Sequence, residues 1–159
     1  MRRALATALV VSLVACGFQL RGSAKLPFET IYLPAATAGI ALDLKRTIQS
    51  GTDTRVLDSP KDAQAVLVFT EEKREKEILS LTGGGRVREY RLHYRIGYRV
   101  HDGKGRQYVA PTTLKQQRNL TYDDSIVLAK ESEEQLLYRD MQTDMIQQIM
   151  RQLAAAKLQ

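Results

Sequence analysis

Residues Val87–His101 alternate between apolar and basic side chains, and this regularity leaves little freedom for the fold around them. One set, spaced two residues apart, is apolar or aromatic: Tyr90, Leu92, Tyr94, Ile96, Tyr98 and Val100. The residues between them are mainly basic: Arg91, His93, Arg95, Arg99 and His101. A period of two is typical of a strand with one buried face. We therefore expect a sheet whose core lies on the tyrosine side and whose basic side is open to water or to a partner.

The flanking segments predict long antiparallel neighbours for this strand. A turn at residues 102–105 leads into a paired strand over about Gln107–Leu120. The glycines at 83–85 form a hairpin loop on the other side. Before that loop, Ala65–Leu81 begins apolar and then becomes highly charged, which favours one long strand leaving the core. A helix over Thr70–Leu79 is the alternative, because Glu and Lys favour helices.

The N-terminal half predicts a β-α-β unit. Thr30–Leu33 is a short strand closed by Pro34, and Thr54–Leu57 is another. Between them, Thr37–Ser50 has helical periodicity, with Gly51 as a plausible residue just beyond the helix. One face of this helix carries Ile40, Leu44, Thr47 and Ile48. A crossover helix of this kind favours parallel pairing of the two strands.

A long amphipathic helix is expected at the C-terminus, after a loop at residues 123–125. It begins somewhere between Ser125 and Ser132, and Ser132 with Gln135 would form a capping box if it begins late. Its apolar stripe contains Leu137, Met141, Met145, Ile149 and Leu153, widened by Ile146 and Met150. The predicted fold is therefore α+β: a two-layer sandwich of two helices packed on one face of a mixed four- to five-stranded sheet.

The N-terminus has the pattern of a bacterial lipoprotein signal. Arg2 and Arg3 precede an apolar run, Ala4–Val14, which is too short to span a bilayer. Small residues follow Leu13 up to Cys16, the only cysteine in the chain. Such signals are cleaved before the cysteine, whose sulfur and freed amine then receive acyl chains. The alternatives are an ordinary signal peptide with an unrelated cysteine, or a first core strand.

This interpretation divides the chain into three parts. Residues 1–15 are the signal peptide, residues 16–28 the lipidated anchor and linker, and residues 29–159 a single α+β domain. Gly17 stands where an Asp would retain an enteric-type lipoprotein at the inner membrane, so we expect an outer-membrane lipoprotein facing the periplasm. The mature chain has 22 basic and 18 acidic residues once Arg2 and Arg3 are removed from the totals, a mild net charge of +4.

Catalytic and metal-binding patterns are weak, so we expect no enzyme and no cofactor. His93 and His101 lie eight residues apart on one predicted strand face, about 25 Å at strand rise, and cannot share a metal. Asp123 and Asp124 are neighbours in a loop, where Asp is common in turns and caps. The glycine run is not followed by a helix, as a phosphate-binding loop would be.

The basic residues of the central strand offer a candidate anion-binding surface. Arg91, Arg95 and Arg99 form a ladder, and Arg86 and Arg88 lie at the hairpin. Guanidinium groups pair with phosphate or carboxylate, although a solvated outer face is the equally simple alternative. A periplasmic lipoprotein rarely meets nucleic acid, and no aromatic stacking platform shares this face. Phosphorylated lipid is the anion that an outer membrane offers.

Several segments resemble one family. Residues 16–22, Cys-Gly-Phe-Gln-Leu-Arg-Gly, resemble the Cys-Gly-aromatic-X-Leu-Arg start of LptE, the lipopolysaccharide-assembly lipoprotein family. The runs Arg118–Asp123 and Leu128–Glu131 are also similar to that family, as are Glu89-Tyr90 and the C-terminal helix. The likeness extends from the signal peptide almost to the C-terminus.

The resemblance implies a non-enzymatic subunit of the outer-membrane lipopolysaccharide translocon. Family members bind lipopolysaccharide and form a heterodimer with the LptD β-barrel, whose lumen they plug. They also help to assemble this barrel. Their lipopolysaccharide contacts include the lysine of a Leu-Ala-Lys motif, matched by Lys130, and a basic residue of the hairpin loop. Arg86 and Arg88 are the nearest candidates for the second, because glycines occupy the loop itself. A purely structural periplasmic scaffold without lipopolysaccharide affinity is the alternative.

Overall fold

The computed structural model describes residues 25–34 and 39–157, which form five strands and two long helices. The strands are β1 (Thr30–Tyr32), β2 (Arg55–Leu57), β3 (Ala65–Leu81), β4 (Val87–His101) and β5 (Gln107–Thr121). The helices are α1 (Gly39–Gly51) and α2 (Val127–Ala155), and two short 3₁₀ helices cover Pro60–Asp62 and Asp124–Ile126. All five strands belong to one sheet, in the order β2-β1-β3-β4-β5.

The first three strands are parallel, and the β-α-β pattern predicts this arrangement for β1 and β2. Thr30 of β1 pairs with Arg55 of β2, and Ile31 pairs with Ala65 of β3. Because β1 is only three residues long, it reaches no further along β3 than Val66. In the described part of the chain, the rest of β3 has a strand neighbour on one side only.

Strands β3, β4 and β5 form an antiparallel meander. β3 pairs with β4 from Val66 opposite His101 to Leu81 opposite Val87, with register shifts along the way. The alternative of a helix over Thr70–Leu79 is wrong, since these residues continue the strand. Local helix propensity is overridden because the β4 backbone offers a continuous ladder of hydrogen bonds.

The tyrosine face of β4 is covered by both helices, which confirms the predicted two-layer α+β fold with five strands in its mixed sheet. α1 buries Ile40, Leu44 and Ile48 against this face. α2 buries the stripe of Tyr138, Met141, Gln142, Met145, Ile146, Ile149, Met150 and Leu153. Phe28, in the predicted linker, also joins this core.

The helix boundaries differ slightly from the sequence pattern. α1 includes Gly51 as its last residue, and the predicted start at Thr37 lies outside the described residues. α2 begins at Val127, so the capping box at Ser132 is wrong. The Ser132 hydroxyl instead donates to the Leu128 carbonyl inside the helix, 3.0 Å away.

A polar cluster lies where both helices approach the sheet. Gln142 of α2 accepts a hydrogen bond from Arg74 of β3 (2.9 Å) and donates one to Asp43 of α1 (2.7 Å). The Tyr94 hydroxyl donates to Glu72 at 2.7 Å, and the Arg74 guanidinium lies 4.6 Å from the centre of the Tyr94 ring. The cluster joins four elements with directional contacts, which fixes how the helices sit on the sheet.

Candidate functional site

The β3–β4 hairpin and the start of α2, which contain predicted ligand-binding residues, meet the end of β5 at one end of the molecule. Glu89, near the start of β4, pairs with Thr121 at the end of β5. The Tyr122 amide donates to the Arg88 carbonyl at 2.8 Å, and the Tyr90 and Tyr122 rings pack edge to face with centroids 5.1 Å apart. α2 starts five residues later. The hairpin tip and the helix start therefore share this end, which we call the hairpin end.

The β3–β4 hairpin is ordered by its own hydrogen bonds. The Thr82 amide donates to the Arg86 carbonyl (2.7 Å), and the Gly85 amide donates to the Thr82 carbonyl (3.0 Å). Gly85 has a φ of +78°, a conformation that costs a glycine little. Arg86 and Arg88 are exposed, and neither forms an ion pair with any described residue. Arg86 is thus presented to solvent from a defined turn, and Arg88 from the start of β4.

Lys130 is placed differently from these arginines. Its side chain is only 15% exposed, and its ammonium lies 2.8 Å from a Glu133 carboxylate oxygen. Every other residue from Asp123 to Glu133 is exposed. Because Lys130 already has an acidic partner, an anionic ligand would have to compete with Glu133 or join it.

Asp123 holds the loop that leads into α2. Its carboxylate accepts hydrogen bonds from the Ser125 amide (2.9 Å) and the Ser125 hydroxyl (2.7 Å). These hydrogen bonds, helped by the positive charge of Lys130, hold the pKa of Asp123 below its ordinary value. Asp123 thus serves as a cap for the turn.

The arginine ladder lies on the face opposite the helices, where acidic residues of β3 are interspersed with it. Arg95 lies 3.5 Å from Glu71, and the ring of His93 lies 3.1 Å from Glu77. Arg91 is half-buried, whereas Arg99 is exposed. The face therefore has mixed charge, which weakens it as an anion site compared with the hairpin end.

Two features of the surface were missed by sequence reasoning. Lys73 of β3 and Lys115 of β5 lie directly opposite Arg95, so three cations form a row across the sheet. Only the strand register reveals this row, and the bulges in β3 hide the register from the sequence. The second feature is a group of exposed apolar side chains at the hairpin end: Ile78, Leu81, Ile126, Val127 and Leu128.

Other chemistry finds little support in the described residues. A surface cavity of about 340 Å³ lies beside the β4–β5 turn, at the opposite end from the hairpin. Across residues 25–34 and 39–157, no three potential metal ligands cluster, and none of the helices has the length and apolarity to cross a membrane. Cys16 and the signal peptide lie outside the described residues.

Comparison with known proteins places these features in context. Residues 28–153 match the family described as LptE, lipopolysaccharide-assembly. The solution structure of lipoprotein B from Nitrosomonas europaea is similar, with 39% identity and a TM-score of 0.75, over 87% of this chain and 91% of that one. A minor lipoprotein from Acinetobacter baumannii shares 25% identity and a TM-score of 0.65, over 84% and 98% of the two chains.

The rare lipoprotein B of Shewanella oneidensis shares the fold, with a TM-score of 0.67 at 23% identity, over 79% of this chain and 94% of that one. Among curated protein sequences, no match was found.

Proposed function

This chain belongs to the LptE family, whose members act in lipopolysaccharide assembly, and from this membership we propose that it is a non-enzymatic lipoprotein subunit of the outer-membrane lipopolysaccharide translocon. In this proposal an acylated Cys16 holds the chain at the outer membrane, facing the periplasm. The folded domain lies largely inside the lumen of an LptD-type β-barrel and forms a heterodimer with it. The chain helps to assemble that barrel and binds lipopolysaccharide for delivery to the cell surface.

The observation that carries the binding proposal is the meeting of the hairpin tip and the α2 start at one end. This brings the elements of Arg86, Arg88 and Lys130 together, although Lys130 is more than 40 positions from either arginine in the sequence. Lipid A carries phosphates, and unpaired guanidinium groups bind phosphate through two parallel hydrogen bonds. We assign phosphate binding to Arg86 and Arg88, with Lys130 as the third cation.

The physical role of such a cluster is to replace divalent ions. Lipopolysaccharide molecules associate through cations that bridge phosphates of neighbouring molecules. A cation fixed on the protein can take the place of a bridging ion and so release one molecule from its neighbours. Lys130 can join only by sharing its charge with Glu133, which lies 2.8 Å away, so we expect it to contribute less than the free arginines.

A purely structural scaffold remains the second candidate. The observation that favours it is the pairing of cations with acids, such as Arg95 with Glu71 and Lys130 with Glu133. A surface of this mixed kind suits the polar interior of a barrel. This candidate predicts a stable complex with the barrel and no affinity for lipopolysaccharide.

The partner is tested by affinity purification. A C-terminally tagged full chain is purified from detergent-solubilised outer membranes, and the copurifying proteins are quantified. We expect one large β-barrel at about an equal molar amount. Recovery of the chain alone, or with a different protein, would contradict the proposed partner.

The site is tested by charge reversal in the same complex. We expect Arg86→Glu with Lys130→Glu to weaken lipopolysaccharide binding by about tenfold or more, since two favourable phosphate contacts become repulsive. The matched control, Lys61→Glu with Lys104→Glu, makes the same change of net charge at the opposite end, where both residues are exposed. Equal binding by the first variant and the parent would contradict the assignment. An equal loss in both variants would show that net charge alone matters.

A further inference from the structure

The hairpin end has an apolar surface next to its free arginines. We call this surface the apolar tip: Ile78, Leu81, Ile126, Val127 and Leu128. Five of the six exposed large apolar side chains among the described residues lie at this end, on β3 and on the segment that leads into α2. Single exposed apolar residues are ordinary, whereas such a concentration at one end is typical of a binding surface. In the described part of the chain, the one other large apolar side chain that is exposed is Leu136, about 12 Å further along α2 by helical rise.

No side chain in the first three turns of α2 is fully buried. The residues of α2 that enter the core begin at Tyr138, three turns after the helix starts at Val127. Leu128 is 80% exposed on the first turn of the helix. Ile126 and Val127 are also exposed, so the apolar side chains at the start of α2 are available to a ligand, whereas Lys130 in the same segment is largely covered.

The charges around the apolar tip indicate what kind of ligand fits. Leu81 ends β3, and Arg86 and Arg88 lie across the hairpin from it, without ion pairs among the described residues. Lys130 is in the same helical turn as Leu128. Cations bordering an apolar surface are complementary to phosphates bordering hydrocarbon, which is the chemistry of a phosphorylated lipid. A purely polar saccharide would leave the apolar tip exposed, and an uncharged apolar partner would leave the arginines unpaired.

We propose that the apolar tip binds acyl chains of the same lipopolysaccharide molecule whose phosphates Arg86 and Arg88 bind. This inference rests on the proposed function and adds to it the part of the ligand that is recognised. Covering Leu81, Leu128 and their neighbours with acyl chain removes apolar surface of both molecules from water. A chain held in this way is not available for packing with neighbouring lipids, so phosphate and acyl contacts together separate one molecule from an aggregate.

The test compares two probes on the full chain in complex with its barrel: intact lipopolysaccharide, and lipopolysaccharide with its acyl chains removed and its phosphates retained. The parent should bind the intact form about tenfold more tightly or better. Leu81→Ser with Leu128→Ser should lose that preference and bind the deacylated form as the parent does. Leu136→Ser is the matched control, since Leu136 is 52% exposed against 54% for Leu81 and lies on α2 outside the tip. It should keep the preference.

Each other outcome has a distinct meaning. Equal affinity of the parent for both forms, or an unchanged preference in the double serine variant, would overturn the inference and leave phosphate binding intact. Binding of neither form by the parent would overturn the proposed function as well. Phosphatidylglycerol vesicles without lipopolysaccharide are a third probe. If the apolar tip bound them as tightly as lipopolysaccharide, it would be a general membrane contact and the inference would fail. Thermal unfolding of each variant shows whether the fold is retained.

Discussion

Two tyrosines place their rings between the sheet and α2. Tyr94 and Tyr98 are almost fully buried, and their hydroxyls are bonded to polar side chains: Tyr94 donates to Glu72, and Tyr98 donates to Gln152 of α2. Loss of solvent around the phenolate raises the pKa of each tyrosine to about 12. Each therefore keeps its proton at a pH where a tyrosine of the unfolded chain loses it.

We expect stability to fall between about pH 10 and pH 12. The folded-state pKa is raised, so the contribution is fully present below the unfolded value of 10 and is lost as the pH rises through about 12. The loss should be about 2 kcal/mol per tyrosine, measured by urea unfolding across this range. In Tyr94→Phe with Tyr98→Phe the pH dependence should be much smaller. If ultraviolet absorbance showed all seven tyrosines of the folded chain ionising near pH 10, the prediction would be wrong.

At the scale of single residues, the identity of the site residues could be predicted from the sequence, but their exposure could not. The family resemblance predicts Lys130, Arg86 and Arg88 as ligand-binding residues, and the structure brings their elements to one end. That Lys130 is covered and paired with Glu133, while the arginines are free, could not be predicted. Exposure depends on how far the α2 start extends past the sheet, which is a property of tertiary packing and leaves no signature in composition.

At the scale of elements, the pairing of β3 with β4 contains a bulge that depends on a glycine. The register shifts between Phe69 and Glu71, opposite the segment of β4 around Gly97. A Cβ atom at Gly97 would lie 2.6 Å from the Thr70 hydroxyl and 3.2 Å from the Glu71 Cβ. The bulge therefore lies close against the bare backbone of β4.

Gly97→Ala should destabilise the domain by about 1–3 kcal/mol, because the new methyl group overlaps atoms of the bulge and forces the strands to shift. The change in unfolding midpoint in urea measures this effect. Gly84→Ala is the control: its nearest neighbour would be 4.0 Å from the added atom, in the open hairpin loop. Equal midpoints for Gly97→Ala and the parent would contradict the proposed close approach.

The elements themselves were largely predictable from the sequence, and their bounds and register were less so. Alternation over Val87–His101 identified β4, and helical periodicity identified α2, because each pattern extends over many residues and reflects one buried face. The charged segment of β3 leaves strand and helix open in the sequence, since it has polar side chains on both faces and, beyond Val66, a strand neighbour on one side only among the described residues. From Glu72 to Ile78 every residue is exposed, so no periodicity remains to read.

On the scale of the whole molecule, the two ends of the sheet have different roles in our proposal. Near the start of the described chain, Phe28 packs beside the β4–β5 turn. The centroid of its ring lies 5.3 Å from that of Tyr108. The hairpin end, with Arg86 and the apolar tip, is at the other end of the same strands. Lipidation at Cys16 would thus tether the end that does not bind ligand.

Energy transfer from a labelled residue to a labelled bilayer tests which end of the domain lies nearer the membrane. Cys16 is the only cysteine and is blocked if acylated, so single cysteines can be added in the lipidated chain for labelling, at Lys104→Cys in the β4–β5 turn and at Gly84→Cys in the hairpin. For the lipidated chain on vesicles without the barrel, we expect stronger transfer from position 104 to acceptors at the vesicle surface. Stronger transfer from position 84, or equal transfer, would contradict the proposed orientation. A chain with Cys16→Ala should lose the transfer from both positions.

The length of β4 sets the distance between the end of the domain nearest the lipid anchor and the hairpin with Arg86. Fifteen residues of strand extend about 50 Å, whereas the hydrocarbon core of a bilayer is about 30 Å thick. If the strands stand along the membrane normal with the β4–β5 turn at the periplasmic leaflet, Arg86 and the apolar tip reach past the hydrocarbon to the level of the outer leaflet. The antiparallel hairpin then acts as a rigid spacer that presents its ligand at the depth where lipopolysaccharide is inserted.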